Sequence, residues 1–123
     1  MTPPVRLLVV DDEPPMLKLL QRVLKKDGYE LTLMADADAA LKAAREGTFD
    51  VILTDYNMPG MKGVEFLRRV RELQPGAARF LVTGHPQEPE VVSGISEGVI
   101  QKCLGKPWNI EELRREISLA LGR

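Results

Sequence analysis

Polar residues of the right kinds stand where apolar runs end. Asp11 and Asp12 follow Leu7 to Val10. Asp55 comes just after Val51-Ile52-Leu53. Thr83 follows Phe80-Leu81-Val82, and Lys106 comes shortly after Leu104. Three carboxylates and one ammonium carry about −2 if all are ionised, as they are near pH 7 at ordinary pKa values. Packed together, they repel one another unless a cation sits among them. Hard, all-oxygen ligands favour Mg²⁺, with Mn²⁺ or Ca²⁺ as substitutes. Mg²⁺ keeps several waters and shares phosphate oxygens, so such a pocket suits a phosphoryl group. An aspartate within it can attack phosphorus and become an aspartyl phosphate. The metal, Lys106 and Thr83 would share the charge on the phosphoryl oxygens.

These residues can meet only if the chain brings them together, and its patterning predicts how. Leu7 to Val10 reads as a strand. Met16, Leu20, Val23 and Leu24 follow at helical spacing until Gly28, with Pro14 and Pro15 in the first turn, where N–H groups have no helical partner. Tyr29 to Leu33 alternates apolar and polar residues. Asp36 is placed to cap a helix presenting Ala37, Ala40, Leu41 and Ala44, which Gly47 stops. Val51 to Leu53 is a third strand ending at Asp55. The next helix turns Val64, Leu67, Val70 and Leu73 inward and ends at Pro75-Gly76. Phe80 to Val82 is the fourth strand, Glu88 to Glu97 a weaker helix containing Gly94, and Val99 to Leu104 the fifth strand. Ile110, Leu113, Ile117 and Leu121 mark a last helix.

This alternation predicts an α/β fold: a doubly wound, five-stranded parallel sheet with helices on both faces. Strands one, three and four are continuous apolar runs, as centrally placed parallel strands are. Strand two carries Glu30 and Thr32, and strand five Gln101 and Lys102, which places both at the edges. The expected order is therefore 2-1-3-4-5, flavodoxin-like, a (βα)5 arrangement. Its ligand crevice lies at the carboxyl ends of the strands, at the switch between strands one and three. Those two strands supply all three carboxylates. Acids after strands are often plain helix caps, but that reading is strained for three acids, a hydroxyl and a lysine at one end of one sheet.

Bulk properties bound the function. The 123 residues suit one domain, 1–123, with a core that needs no metal or disulfide staple. A net charge of −1 offers no basic excess for nucleic acid or for an anionic membrane surface. No apolar run is long enough to span a bilayer, and the start shows no signal-peptide pattern. Cys103 is the only cysteine, which excludes an intrachain disulfide and suits a reducing, cytoplasmic setting.

The chain resembles the receiver domains of response regulators in two-component signal transduction. The resemblance is carried by Val9-Val10-Asp11-Asp12-Glu13-Pro14, by Asp55-Tyr56-Asn57-Met58-Pro59-Gly60-Met61-Lys62-Gly63, by Leu81-Val82-Thr83-Gly84 and by Gly105-Lys106-Pro107-Trp108. It extends over essentially the whole chain. It implies a phosphoacceptor signalling domain rather than an enzyme with a separate substrate. Asp55 would take the phosphoryl group. Asp12 and Asp55 would bind Mg²⁺ directly, Asp11 through water, and the backbone carbonyl of Asn57 would complete the protein ligands. Thr83 would move to meet the phosphoryl group, Lys106 would pair with it, and Lys106–Pro107 would be cis. The donor would be a histidine kinase or a histidine phosphotransfer protein. The readout would be a surface of helix 4, strand 5 and helix 5, acting on an output domain or an effector protein.

One departure stands out. The family usually has an aromatic residue three positions before the lysine, coupled to the moving threonine, and here that position is Cys103. Leu104 is the neighbouring stand-in. Cys103 itself reads as a small buried hydrophobe rather than a redox sensor. His85, beyond Thr83, reads as a loop histidine; by resemblance, it and Asn57 flank the approach to the phosphoryl group and tune its lifetime. Trp108 reads as packing over the last helix or as half-exposed at a partner surface. Arg68, Arg69, Arg71, Arg114 and Arg115 read as solvated helix faces, and Gly60 and Gly63 as backbone devices.

Rival functions are distinguishable. A haloacid-dehalogenase-type hydrolase needs a second acid two residues beyond the nucleophile, where this chain has Asn57. A flavodoxin-like cofactor site needs a phosphate-cradling loop after strand one, where Asp11-Asp12-Glu13 would repel phosphate. The nearer alternative is a receiver-like adaptor that works without phosphorylation. Intact Asp12, Asp55, Thr83 and Lys106 oppose it, and Cys103 favours it.

Overall fold

The computed structural model describes residues 4–122. The elements run β1 (Arg6–Val10), α1 (Pro14–Lys26), β2 (Glu30–Met34), α2 (Ala37–Glu46), β3 (Val51–Asp55), α3 (Gly63–Leu73), β4 (Ala78–Thr83), α4 (Pro89–Ser96), β5 (Lys102–Gly105) and α5 (Ile110–Ala120). The strands form one parallel sheet in the order β2-β1-β3-β4-β5. That is the order the strand polarity predicts. All of β3 is buried, whereas β2 and β5 keep exposed residues.

Alternation along the strands sends side chains to two cores. Leu8, Val10, Ile52 and Leu81 pack with α2, α3 and α4 through Leu41, Phe66, Leu67 and Val91. Leu7, Val9, Leu53, Phe80 and Val82 pack with α1 and α5 through Leu20, Leu24, Leu113 and Ile117. Burying such side chains from water supplies the main drive for this layering, about 1.5–3 kcal/mol for each large one. Asp36 caps α2 as expected, accepting from the backbone N–H of Ala39 at 2.8 Å. Asn109 caps α5 in the same way through Glu112, at 3.0 Å.

Three expectations need correction. The fifth strand begins at Lys102, not at Val99. Val99 and Ile100 are buried, but their N–H groups donate to the Gly94 carbonyl at 2.9 and 3.0 Å, closing α4 instead of extending the sheet. Leu73 does not turn inward and is 42% exposed; Phe66, fully buried, fills that face of α3. The second strand is shifted by one residue, leaving Tyr29 as a buried residue before it.

Arg79 is an unexpected member of the interior, being only 4% exposed in β4. Its guanidinium donates to the carbonyls of Val99 (3.0 Å), Ala77 (2.8 Å), Gly98 (3.1 Å) and Pro75 (3.3 Å). Burial, and secondarily Arg71, lowers its pKa from the usual arginine value. Satisfied donors make this burial tolerable, and the arginine ties the turn after α4 to the sheet.

Candidate functional site

Register explains why the acids meet. β1 pairs with β3 through Val10 and Thr54, so the next residues, Asp11 and Asp55, emerge side by side. Asp55 pairs with Val82 in β4, and Thr83 pairs with Gly105 in β5. One further step along these two strands reaches Lys106. The predicted carboxylates do converge: Asp11, Asp12 and Asp55 each offer an oxygen within 4.8 Å of the others. Asp11 and Asp55 are buried and Asp12 is exposed, so the cluster opens on one side.

Lys106 closes another side, with its Nζ 2.7 Å from Asp55 Oδ1. Apart from this ion pair, Asp55 Oδ1 receives no directed hydrogen bond, and Asp11 Oδ2 receives none. The other Asp11 oxygen accepts from the backbone N–H of Glu13 at 2.8 Å. Burial pushes the Asp11 carboxyl up to about 6; the Glu13 bond opposes this and the Asp55 charge reinforces it. Burial works against the charge on Lys106, but its contact with Asp55 and the fields of Asp55, Asp11 and Glu13 outweigh it, so the pKa stays raised. The buried Asp11 oxygen without a donor and the buried Asp55 carboxylate held by Lys106, beside one exposed carboxylate, form a hard-oxygen donor set that fits a divalent cation.

Thr83 is buried, and its hydroxyl accepts from the backbone N–H of His85 at 2.9 Å, folding the loop after β4 back on itself. His85 is exposed there. Asn57 is exposed in the loop after β3. The Lys106–Pro107 bond is cis. Gly63 shows why glycine is needed at the start of α3: a Cβ there would lie 2.4 Å from the Asp55 carbonyl oxygen. Cys103 is half-buried against the core under α2 to α4, and burial raises its thiol pKa. Trp108 is half-buried against the α1–α5 core. A groove of about 480 Å³ lined by Asp50, Ala78, Lys102, Glu116 and Leu119 lies at the opposite ends of the strands and contains none of these residues.

One residue beside the site escaped the sequence reading. Tyr56 directly follows Asp55, is 4% exposed, and donates its hydroxyl to Oε1 of Glu90 in α4. Its place beside Asp55 was a visible signal, but its partner is distant in sequence and spacing cannot reveal it.

Comparison with known proteins agrees with this geometry. The family profile of the response regulator receiver domain matches residues 7–118. The hydrogenase transcriptional regulatory protein HoxA of Bradyrhizobium diazoefficiens is 35% identical over 115 residues, covering 94% of this chain and 24% of that protein. The chain spans about a tenth to about a half of the length of the curated relatives it matches. A CheY-like receiver domain protein from Methanospirillum hungatei superposes with a TM-score of 0.91 at 28% identity, covering 98% of this chain and 95% of that one. A response regulator from Burkholderia pseudomallei, determined with a phosphorylated aspartic acid, a calcium ion and citrate, gives a TM-score of 0.80 at 28% identity, covering 89% and 64%. No helix among the described residues is long and apolar enough to cross a membrane. The sheet order, the acids gathered at its carboxyl end and the profile match agree: this chain belongs to the response regulator receiver domain family.

Proposed function

We propose that the chain accepts a phosphoryl group on Asp55 from a phosphohistidine donor, with Mg²⁺ bound, and thereby switches a protein-interaction surface. The observation that carries this reading is Asp55 itself: a buried carboxylate within an acidic cluster that opens at Asp12, with Lys106 at 2.7 Å. An Asp55 oxygen attacks phosphorus, the phosphorus–nitrogen bond of the donor breaks, and the leaving nitrogen takes a proton. Asp12 and Asp55 would hold the cation directly, Asp11 through water, and the Asn57 carbonyl would complete the protein's share. When bound, Mg²⁺ supplies charge to phosphoryl oxygens that the carboxylates would otherwise repel. Lys106 offers an ammonium already in place, and Thr83 a hydroxyl that can leave the His85 N–H and donate to the new group. The phosphorylated aspartate of the Burkholderia relative supports the same role for Asp55. A histidine kinase or phosphotransfer protein is the expected donor, and an output domain or effector the expected reader.

A phosphorylation-independent adaptor is the second reading, favoured by Cys103 in place of the usual aromatic. One experiment separates the two. With Mg²⁺ and a small phosphoramidate, intact-protein mass spectrometry should show one added phosphoryl group, and Asp55→Asn should show none. No label on the wild type, or label that persists in Asp55→Asn, would refute the assignment.

A further inference from the structure

Tyr56 joins the acidic centre to α4. Its backbone is held on both sides: its N–H donates to the Val82 carbonyl at 2.9 Å, and its carbonyl accepts from the Gly63 N–H at 2.9 Å. Its ring lies in the core under α2 to α4, with Lys62 Nζ 5.2 Å from the ring centroid. Its hydroxyl ends on Glu90, in the first turn of α4. Among the described residues, no other side-chain hydrogen bond reaches that turn, and the cap residue Glu88 makes none.

The far end of α4 is held quite differently. Arg68 donates to both carboxylate oxygens of Glu97, at 3.3 and 2.8 Å, and Arg71 donates to the Glu97 carbonyl at 2.9 Å. Arg79 holds the carbonyls of Gly98 and Val99 at 3.1 and 3.0 Å. One end of the helix is thus fixed by three arginines, and the other by one phenol.

We propose that the Tyr56–Glu90 hydrogen bond is a latch that holds the first turn of α4 to the end of β3, and that a phosphoryl group on Asp55 opens it. The opening step rests on the phosphoacceptor reading above. Two forces favour it. The group turns the single negative charge of Asp55 into about two, placed on oxygens that reach further out, and this repels the Glu90 carboxylate and its neighbour Glu88. Thr83, drawn towards the group, releases the His85 N–H and pulls on the loop that leads into α4. Tyr56 is then a positioning residue that carries the signal Cys103 cannot.

The test is hydrogen exchange of Pro89–Ser96 in the full chain, with Mg²⁺, with and without phosphoryl-mimicking beryllofluoride. Tyr56→Phe keeps the ring and loses the bond. Before beryllofluoride is added, it should raise exchange there by roughly threefold to tenfold, the range expected for one hydrogen bond. It should also remove most of the further change on addition. Glu90→Gln keeps an acceptor oxygen without charge: exchange should start at the wild-type level and respond less. Unchanged exchange in Tyr56→Phe overturns the latch. So does an equal rise in α1 and α5, which would mark general destabilisation. The arm without beryllofluoride needs no phosphoryl chemistry, so it reads the latch even if Asp55 accepts nothing in the mass assay.

Discussion

Asp11 is fully buried, accepts one backbone hydrogen bond, and leaves its second oxygen without a donor. Its pKa is raised from 3.8 to about 6 when the protein folds. Between those values the folded state therefore binds more protons than the unfolded one, so stability falls as pH rises through the window. Above it, ionised Asp11 costs the metal-free fold roughly 3 kcal/mol. Asp11→Asn, measured by urea denaturation with chelator present, should be more stable than wild type at pH 7 and should lose the decline between about pH 4 and 6. An identical pH profile in the two proteins would show that Asp11 is not the strained group. The three acids and Thr83 were legible in the sequence because they follow apolar runs, and Lys106 because it follows the last strand; strand ends are where a parallel sheet gathers its ligands. Tyr56 was not legible, because a buried phenol is recognised by what its hydroxyl meets. Arg79 was not either, since its partners are backbone carbonyls that any residue could supply.

α3 can start where it does because Gly63 lets its first turn press on the backbone of β3. Gly63→Ala would place a methyl 2.4 Å from the Asp55 carbonyl oxygen and 2.9 Å from Leu81 Cδ1. The side chain can yield, but the carbonyl belongs to the central strand. We predict a loss of about 2 kcal/mol or more in denaturant unfolding, together with slower phosphoryl acceptance, because Asp55 must shift with its strand. A stability unchanged within about 0.5 kcal/mol would mean the contact relaxes freely. At this scale the sequence was read well for β1, β3 and β4, whose burial on both faces leaves unbroken apolar runs. It misled at Val99 and Ile100, because a buried loop and a buried strand look alike without their hydrogen bonds. It also misled at Leu73, which keeps the helical spacing but is the last residue of α3 and lies exposed.

The whole molecule divides unequally about its sheet, with α1 and α5 on one side and α2, α3 and α4 on the other. Helices on both faces were legible from the alternation of strands and helices, and the strand order in part from the apolar runs of β1, β3 and β4 and the polar residues of β2 and β5. A cation bound at the sheet's carboxyl end ties β1 to β3 across the switch in strand order, so it should stabilise the entire fold by linkage. At a hundredfold excess over its dissociation constant, Mg²⁺ should contribute about 2.7 kcal/mol and raise the melting temperature by about 10 °C. Asp12→Ala should lose the gain, and a wild-type melting temperature indifferent to Mg²⁺ would count against the site. The unequal fastening of α4 has a mechanical meaning. A rod anchored at one end and tethered lightly at the other can tilt but cannot slide. Its eight residues give a lever arm of about 12 Å. A tilt of about 10° would sweep its free end through about 2 Å while leaving the anchored end in place. Exposed Val92 and Ile95 ride on that arm, so a phosphoryl group at Asp55 would reach the surface as a rotation of an apolar face.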